Sequence, residues 1–179
     1  MKLNINFDKI KQDSDFNTVK AYCDRTYYSL VKSRLPKLEN FDTLYEETIK
    51  FLIISSQIKA TQIPVNDEAD MIWHEFILQT AEYRILCERY LPSGMFIDHT
   101  SITVSDRMKV VGIDYDDDMS EQLAWLGYYY YYFGSFSYTT ASIWAASDFL
   151  MAYCEYSLME VNQLAMEMSK KIQQLSSND

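Results

Sequence analysis

The spacing of apolar residues along the chain predicts a mainly α protein. Between 17 and 34, apolar and aromatic side chains recur every three or four positions, which is the period of one helix face. The same spacing returns over 41–58, from 67 onwards and in the C-terminal third. Only four glycines and three prolines interrupt these stretches. We therefore expect one domain, 1–179, built as a bundle of six or seven helices.

The chain-breaking and capping residues predict where these helices begin and end. Pro36 ends the first helix, and Asn66 or Asp67 is suited to cap the third. Thr80 competes for backbone donors better at a cap than inside a helix, so it predicts a separate fourth helix over 81–90. Further helices are expected over 120–133, from Thr139 or Thr140 to about 156, and over 158–175.

Three stretches do not carry the helical pattern. Residues 95–113 are rich in β-branched side chains and are expected to form an irregular or short β segment. The two ends, 1–15 and 176–179, are expected to be disordered.

The composition also predicts where the protein is located in the cell. Hydrophobic residues make up 48% of the 179 residues, enough for a core that needs no disulfide. The three cysteines, Cys23, Cys87 and Cys154, are widely spaced, which favours a reducing compartment. The N-terminus lacks the apolar run of a secretion signal, and no apolar run reaches the roughly 18 residues of a membrane span. We expect a soluble cytoplasmic protein.

Charge and aromatic content indicate a protein partner. The net charge of −10 repels nucleic acids and anionic membranes and favours a basic partner. The block 125–133 is aromatic on every side of a helix, which is typical either of a central core helix or of an interface. The core interpretation is favoured, and an interface with a partner or a second copy stays open. The candidate interaction residues are Tyr128, Tyr129, Tyr131, Tyr132, Asp116, Asp117 and Asp118.

The residues able to carry chemistry are concentrated between 70 and 99. Asp70 and His74 are four residues apart, so on a helix they face the same way. A carboxylate in that position can orient an imidazole or share a metal ion with it. A hydrogen bond that only pins the helix is the structural alternative. His74 and Asp70 are therefore the candidate catalytic residues.

A metal site in this region would need two further residues. Cys87 and His99 complete a candidate ligand set with Asp70 and His74, and zinc or iron is the expected ion. On one continuous helix, His74 and Cys87 would lie about 20 Å apart and could not share an ion. The site therefore requires the chain to turn at Thr80. Buried structural histidine and cysteine are the alternative.

This stretch resembles the glycine-rich-domain-containing-protein-like family, which has plant members and short bacterial ones. Tyr132–Phe133–Gly134 and Trp144 resemble a later family segment, and Ile63–Pro64 resembles its lead-in. The resemblance covers about 60–145 and implies a helical fold without implying a reaction. The main matches are Asp70, Trp73, His74, Ile77, Leu78, Thr80, Tyr83, Cys87, Gly94, Phe96, Ile97 and His99.

The chain departs from the family pattern at two positions. Phe76 and Asp98 stand where some members carry histidine. Both differences remove imidazoles that could have served as ligands.

Two functions follow as hypotheses. The first is a cytoplasmic acidic protein-interaction module, of the inhibitor or immunity type, that binds a basic protein. The second is a metal-dependent hydrolase or redox enzyme. In that enzyme His74 is a ligand or general base, Asp70 orients it, and Cys87 and His99 are ligands.

Overall fold

A computed structural model describes residues 14–58, 63–99 and 115–176, and within these ranges the chain is a bundle of eight helices. Helix α1 runs from Ser14 to Arg34 and contains a π-helical turn, Asp24–Tyr28. Helix α4 joins Thr80–Ile85 to a second π-helical turn, Leu86–Tyr90. The other six are α2 (Phe41–Ser55), α3 (Asp67–Leu78), α5 (Tyr115–Phe133), α6 (Tyr138–Ala141), α7 (Ala145–Tyr153) and α8 (Leu158–Ser176).

The mainly α prediction is confirmed, and four details differ from it. The helix predicted over 41–58 ends at Ser55. The helix predicted from Thr139 or Thr140 to about 156 is two helices, α6 and α7, separated by the non-helical residues 142–144. Helix α5 begins five residues before the predicted 120. The residues 14, 15 and 176, expected in disordered ends, belong to helices.

Part of the predicted β segment can be compared with the structure. Residues 95–99 form no strand, and 100–113 lie outside the described residues, as do 1–13 and 177–179. The one β-bridge among the described residues pairs Val65 with Trp144. Beside it the backbone N–H of Asn66 donates to the carbonyl of Ile143 at 2.7 Å. These bonds fix the start of α3 against the α6–α7 connection.

The aromatic block of α5 is core, as the favoured interpretation predicted. Trp125, Tyr128 and Tyr129 are each at most 2% exposed. Helix α8 packs directly on α5 at Gly127, where a Cβ atom would lie 2.7 Å from Cδ1 of Ile172, 2.9 Å from Cβ of Met168 and 3.0 Å from the backbone carbonyl carbon of Met168. Only glycine allows the two helices to approach this closely. Within the described residues, no helix combines the length and apolarity that a membrane crossing needs.

A buried carboxylate joins α2 to the helices around it. Glu47 is 1% exposed and accepts hydrogen bonds from Lys50 Nζ at 2.6 Å and from Trp144 Nε1 at 2.8 Å. Lys50 Nζ also donates to the hydroxyl of Tyr129 on α5 at 3.2 Å. A buried charge is tolerated only when it is paired in this way. Glu47 therefore links three parts of the bundle.

Candidate functional site

Helix α3 places the two central side chains of the site one turn apart. Asn66 caps the helix, and its side chain accepts from the backbone N–H of Ala69 at 3.0 Å. Three acidic residues follow in the first turn, where the helix dipole favours negative charge. Asp70 is one of them, and Oδ2 of its carboxylate lies 3.3 Å from Nδ1 of His74. The predicted Asp70–His74 pair on one helix face is present.

The backbone sets the orientation of the His74 ring. Nδ1 lies 2.9 Å from the carbonyl oxygen of Asp70. Because a carbonyl can only accept, this contact assigns the proton to Nδ1 and leaves the lone pair of Nε2 free. Histidines that bind metals commonly hold their second nitrogen in this way. The side chain of His74 is 50% exposed, so the site is open to solvent.

His99 returns to the same carboxylate from the segment after α4. Its Nε2 lies 3.3 Å from Oδ1 of Asp70, and its side chain is only 13% exposed. The imidazole packs against Trp73, with ring centroids 4.6 Å apart, and against His74 at 4.2 Å. The two imidazoles therefore contact each other, and each approaches one oxygen of the Asp70 carboxylate.

A hydrogen-bond relay holds the segment that carries His99. The indole Nε1 of Trp73 donates to the hydroxyl of Tyr83 at 3.0 Å, and that hydroxyl donates to the carbonyl of Ile97 at 2.9 Å. All three groups lie in or beside the core. The relay connects α3 through α4 to the backbone two residues before His99. Buried Trp73 and Tyr83 therefore have a structural role in positioning His99.

The donor atoms of the three residues converge. Among the described residues, Asp70, His74 and His99 each offer one ligand atom within 4.8 Å of the other two. Two donors bound at about 2.0–2.1 Å to one tetrahedral ion lie about 3.3–3.4 Å apart. The 3.3 Å between His99 Nε2 and Asp70 Oδ1 matches that spacing. It is longer than the roughly 2.7–2.9 Å of a strong charged hydrogen bond.

Cys87 does not join these donors, which corrects the four-ligand set. The chain does turn between α3 and α4, at Gln79, one residue before the predicted Thr80. Cys87 nevertheless lies in the core, fully buried, where it contacts the hydroxyl of Tyr83 and the backbone of Ile97. Burial raises the pKa of this thiol and keeps it protonated. Cys87 therefore packs against the segment that carries His99 and lies outside the group of converging donors.

The candidate interaction residues are only partly at the surface. Tyr128 and Tyr129 are buried, because α8, α7 and α2 pack against α5, so these two offer no free face to a partner. Tyr131 and Tyr132 are half-buried. Asp116, Asp117 and Asp118 lie in the first turns of α5, and the described side chains do not include them.

A scan against protein-family models finds no match, and searches of curated proteins and of solved structures find none either. The resemblance of 60–145 to the glycine-rich-domain-containing-protein-like family therefore stays a prediction. A function must be argued from the geometry of the site itself.

The sequence did not predict the relay from Trp73 through Tyr83 to the carbonyl of Ile97. Trp73 and Tyr83 are ten residues apart on two helices, and neither spacing nor periodicity relates two such residues. One general rule could have suggested that both side chains form hydrogen bonds, since a buried indole N–H or phenol hydroxyl usually finds a partner.

Proposed function

We propose that this protein is a metal-dependent hydrolase whose divalent ion is held by Asp70, His74 and His99. The observation that carries the proposal is the convergence of one carboxylate and two imidazoles within 4.8 Å at a solvent-accessible position. Two histidines and one carboxylate form a common catalytic zinc set, which leaves a fourth position for water or substrate.

Each residue has a separate part in this proposal. Asp70 neutralises charge on the ion, and His99, almost buried against Trp73, is the rigid ligand. His74 is half-exposed, and its Nε2, which the Nδ1 contact leaves free, is the third donor. A bound ion would polarise a substrate carbonyl or activate a water molecule near neutral pH.

The surroundings of the site also favour a cation. Asp67 and Glu68 lie exposed in the first turn of α3 together with Asp70, and Asp98 is exposed next to His99. In the part of the chain that the structure describes, none of Asp67, Glu68 and Asp98 forms an ion pair with a basic side chain. Their combined field raises the local concentration of cations and disfavours phosphorylated substrates.

A redox enzyme with iron is the second candidate, because two histidines and one carboxylate also form the facial triad of non-haem iron(II) oxygenases. The free thiols of Cys23, Cys87 and Cys154 fit a reducing cytoplasm, where iron(II) persists, and the cytoplasm stays our proposed location.

The experiment that tests the proposal is a metal analysis of protein purified without a histidine tag, followed by calorimetric titration with Zn²⁺ and Fe²⁺ under reducing conditions. We expect one ion per chain. Zinc-dependent cleavage of a nitrophenyl ester or amide identifies the hydrolase. Iron retained in place of zinc, without such cleavage, identifies the redox enzyme. Absence of saturable binding of either ion rejects both.

The relay predicts the effect of a substitution remote from the ion. Tyr83→Phe removes the hydroxyl that holds Ile97 and with it the position of His99, so affinity for Zn²⁺ should fall about 10–100-fold. Calorimetric titration measures the change. Tyr22→Phe is the matched control, because Tyr22 donates a similar bond at 3.1 Å to the carbonyl of Glu82, outside the site. Equal affinity in the two variants would contradict a positioning role for Tyr83.

A further inference from the structure

A second surface, at the end of α7, exposes aromatic side chains outside the proposed metal site. Tyr153 is 77% exposed and Phe149 is 40% exposed, and their rings are stacked with centroids 5.5 Å apart. Tyr156 is 40% exposed, and a 3.0 Å bond from its backbone N–H to the carbonyl of Leu150 ties its backbone to α7. Met159, 76% exposed, follows at the start of α8. We call these four side chains the α7 patch.

Most exposed large apolar residues of a soluble protein are scattered singly. The α7 patch differs because four of them lie within eleven residues and two are stacked on each other. Tyrosine, phenylalanine and methionine are also the residues enriched where proteins bind one another. The composition therefore points to a protein partner.

The part of the sequence that contains the α7 patch is strongly acidic. The sequence from 110 to 169 contains no lysine, arginine or histidine. The same sixty residues contain nine acidic ones, which are Asp114, Asp116, Asp117, Asp118, Glu121, Asp148, Glu155, Glu160 and Glu167. Almost the whole net charge of −10 is thus carried by this third of the chain.

Two of these carboxylates are sequence neighbours of residues in the patch. Asp148 precedes Phe149, and Glu155 lies between Tyr153 and Tyr156, both exposed. Within the described residues neither has a basic side chain in ion-pair contact. Glu160 differs, because it accepts bonds from Ser157 and caps α8. The C-terminus of α7 adds the negative end of its dipole, with no basic residue in the last turn to offset it.

We propose that the α7 patch binds a short basic segment of a partner protein. An arginine or lysine of that segment lies over the stacked Phe149–Tyr153 pair, where the ring faces attract a cation. Its charge is then paired with Asp148 or Glu155. Apolar neighbours in the segment cover Tyr156 and Met159. A second copy of this chain is a poorer occupant, because a two-fold contact would set the acidic patch against itself.

The test is a selection of random twelve-residue peptides displayed on phage, with the full-length protein as bait. The enriched peptides should carry arginine or lysine beside aromatic or aliphatic residues. Synthetic copies of them should bind the wild type, and Tyr153→Ala should weaken binding about tenfold or more, as expected for an aromatic anchor. Asp148→Asn combined with Glu155→Gln should weaken it and reduce its salt dependence.

Tyr138→Ala is the matched control, because Tyr138 is 69% exposed but lies on α6, outside the patch. This variant should bind the peptides like the wild type, and all variants should keep the wild-type thermal midpoint. Three results overturn the proposal. They are enrichment of peptides without excess basic residues, equal binding by Tyr153→Ala, and a concentration-dependent dimer in sedimentation that Tyr153→Ala abolishes.

Discussion

Asp70→Asn should lower the affinity for Zn²⁺ by at least about 100-fold, more than any other single change at the site. Outer groups that only orient a metal ligand already account for about 10–100-fold, and Asp70 contributes both a direct donor and the charge that neutralises the ion. Its carboxylate is also the one group that both imidazoles approach, each at 3.3 Å. Removing it leaves His74 and His99 without a common centre. Calorimetric titration of the variant measures the loss.

The control for this prediction is Asp67→Asn. It removes the same charge from the same helix, one turn earlier, from an exposed side chain that offers no converging donor. We expect it to reduce affinity only by the weak long-range field of one exposed charge, a few-fold at most. Similar losses in both variants would mean that the acidic surface, and not a defined site, attracts the ion.

Glu47→Ala should destabilise the fold by about 3–5 kcal/mol, the largest stability effect we expect from one substitution. The substitution leaves the Lys50 ammonium and the indole N–H of Trp144 without the carboxylate that pairs them in the interior. Denaturant unfolding measures the loss. Glu46→Ala is the control, since Glu46 is exposed and its 3.6 Å contact with Lys20 contributes little. A loss below about 1 kcal/mol for Glu47→Ala would show that water replaces the lost pairing.

The hydrogen-bond network of Glu47, Lys50 and Tyr129 predicts that the stability of the fold depends on pH. Burial by itself would lower the pKa of Lys50, but Glu47 and Tyr129 together raise it above the ordinary value. A lysine whose pKa is raised by folding stabilises the protein below its unfolded pKa, about 10.4, and that contribution is lost as the pH rises through the folded pKa. The wild type should therefore lose stability above about pH 10.4. In Glu47→Ala, the decrease in the free energy of unfolding above about pH 10.4 should be smaller, because Glu47 no longer raises the pKa of Lys50.

Features that depend on local sequence could be predicted. Periodicity gave the helices around 17–34, 41–58 and 158–175, and the unsuitability of Thr80 for a helix interior gave the break between α3 and α4. The four-residue spacing of Asp70 and His74 placed them on one face for the same reason. These inferences succeeded because helix geometry relates residues a few positions apart.

Features that depend on packing could not be predicted. The sequence shows that Cys87 lies near two histidines, but not that its thiol faces Tyr83 and the core. It shows that Tyr128 and Tyr153 are both tyrosines in predicted helices, but the fold buries Tyr128 inside the bundle and leaves Tyr153 exposed at the end of α7. In each case a contact between distant parts of the chain decides which side of a helix is buried. Periodicity within one helix carries no information about that contact.

X-ray absorption at the zinc edge of the loaded protein tests the central claim most directly. We predict one ion per chain surrounded only by nitrogen and oxygen donors at about 2.0–2.2 Å, with scattering from two imidazoles. Replacement of His99 by alanine should remove one imidazole from that pattern. A sulfur donor at about 2.3 Å would restore Cys87 as a ligand and contradict the site. An ion surrounded by oxygen alone would contradict it equally.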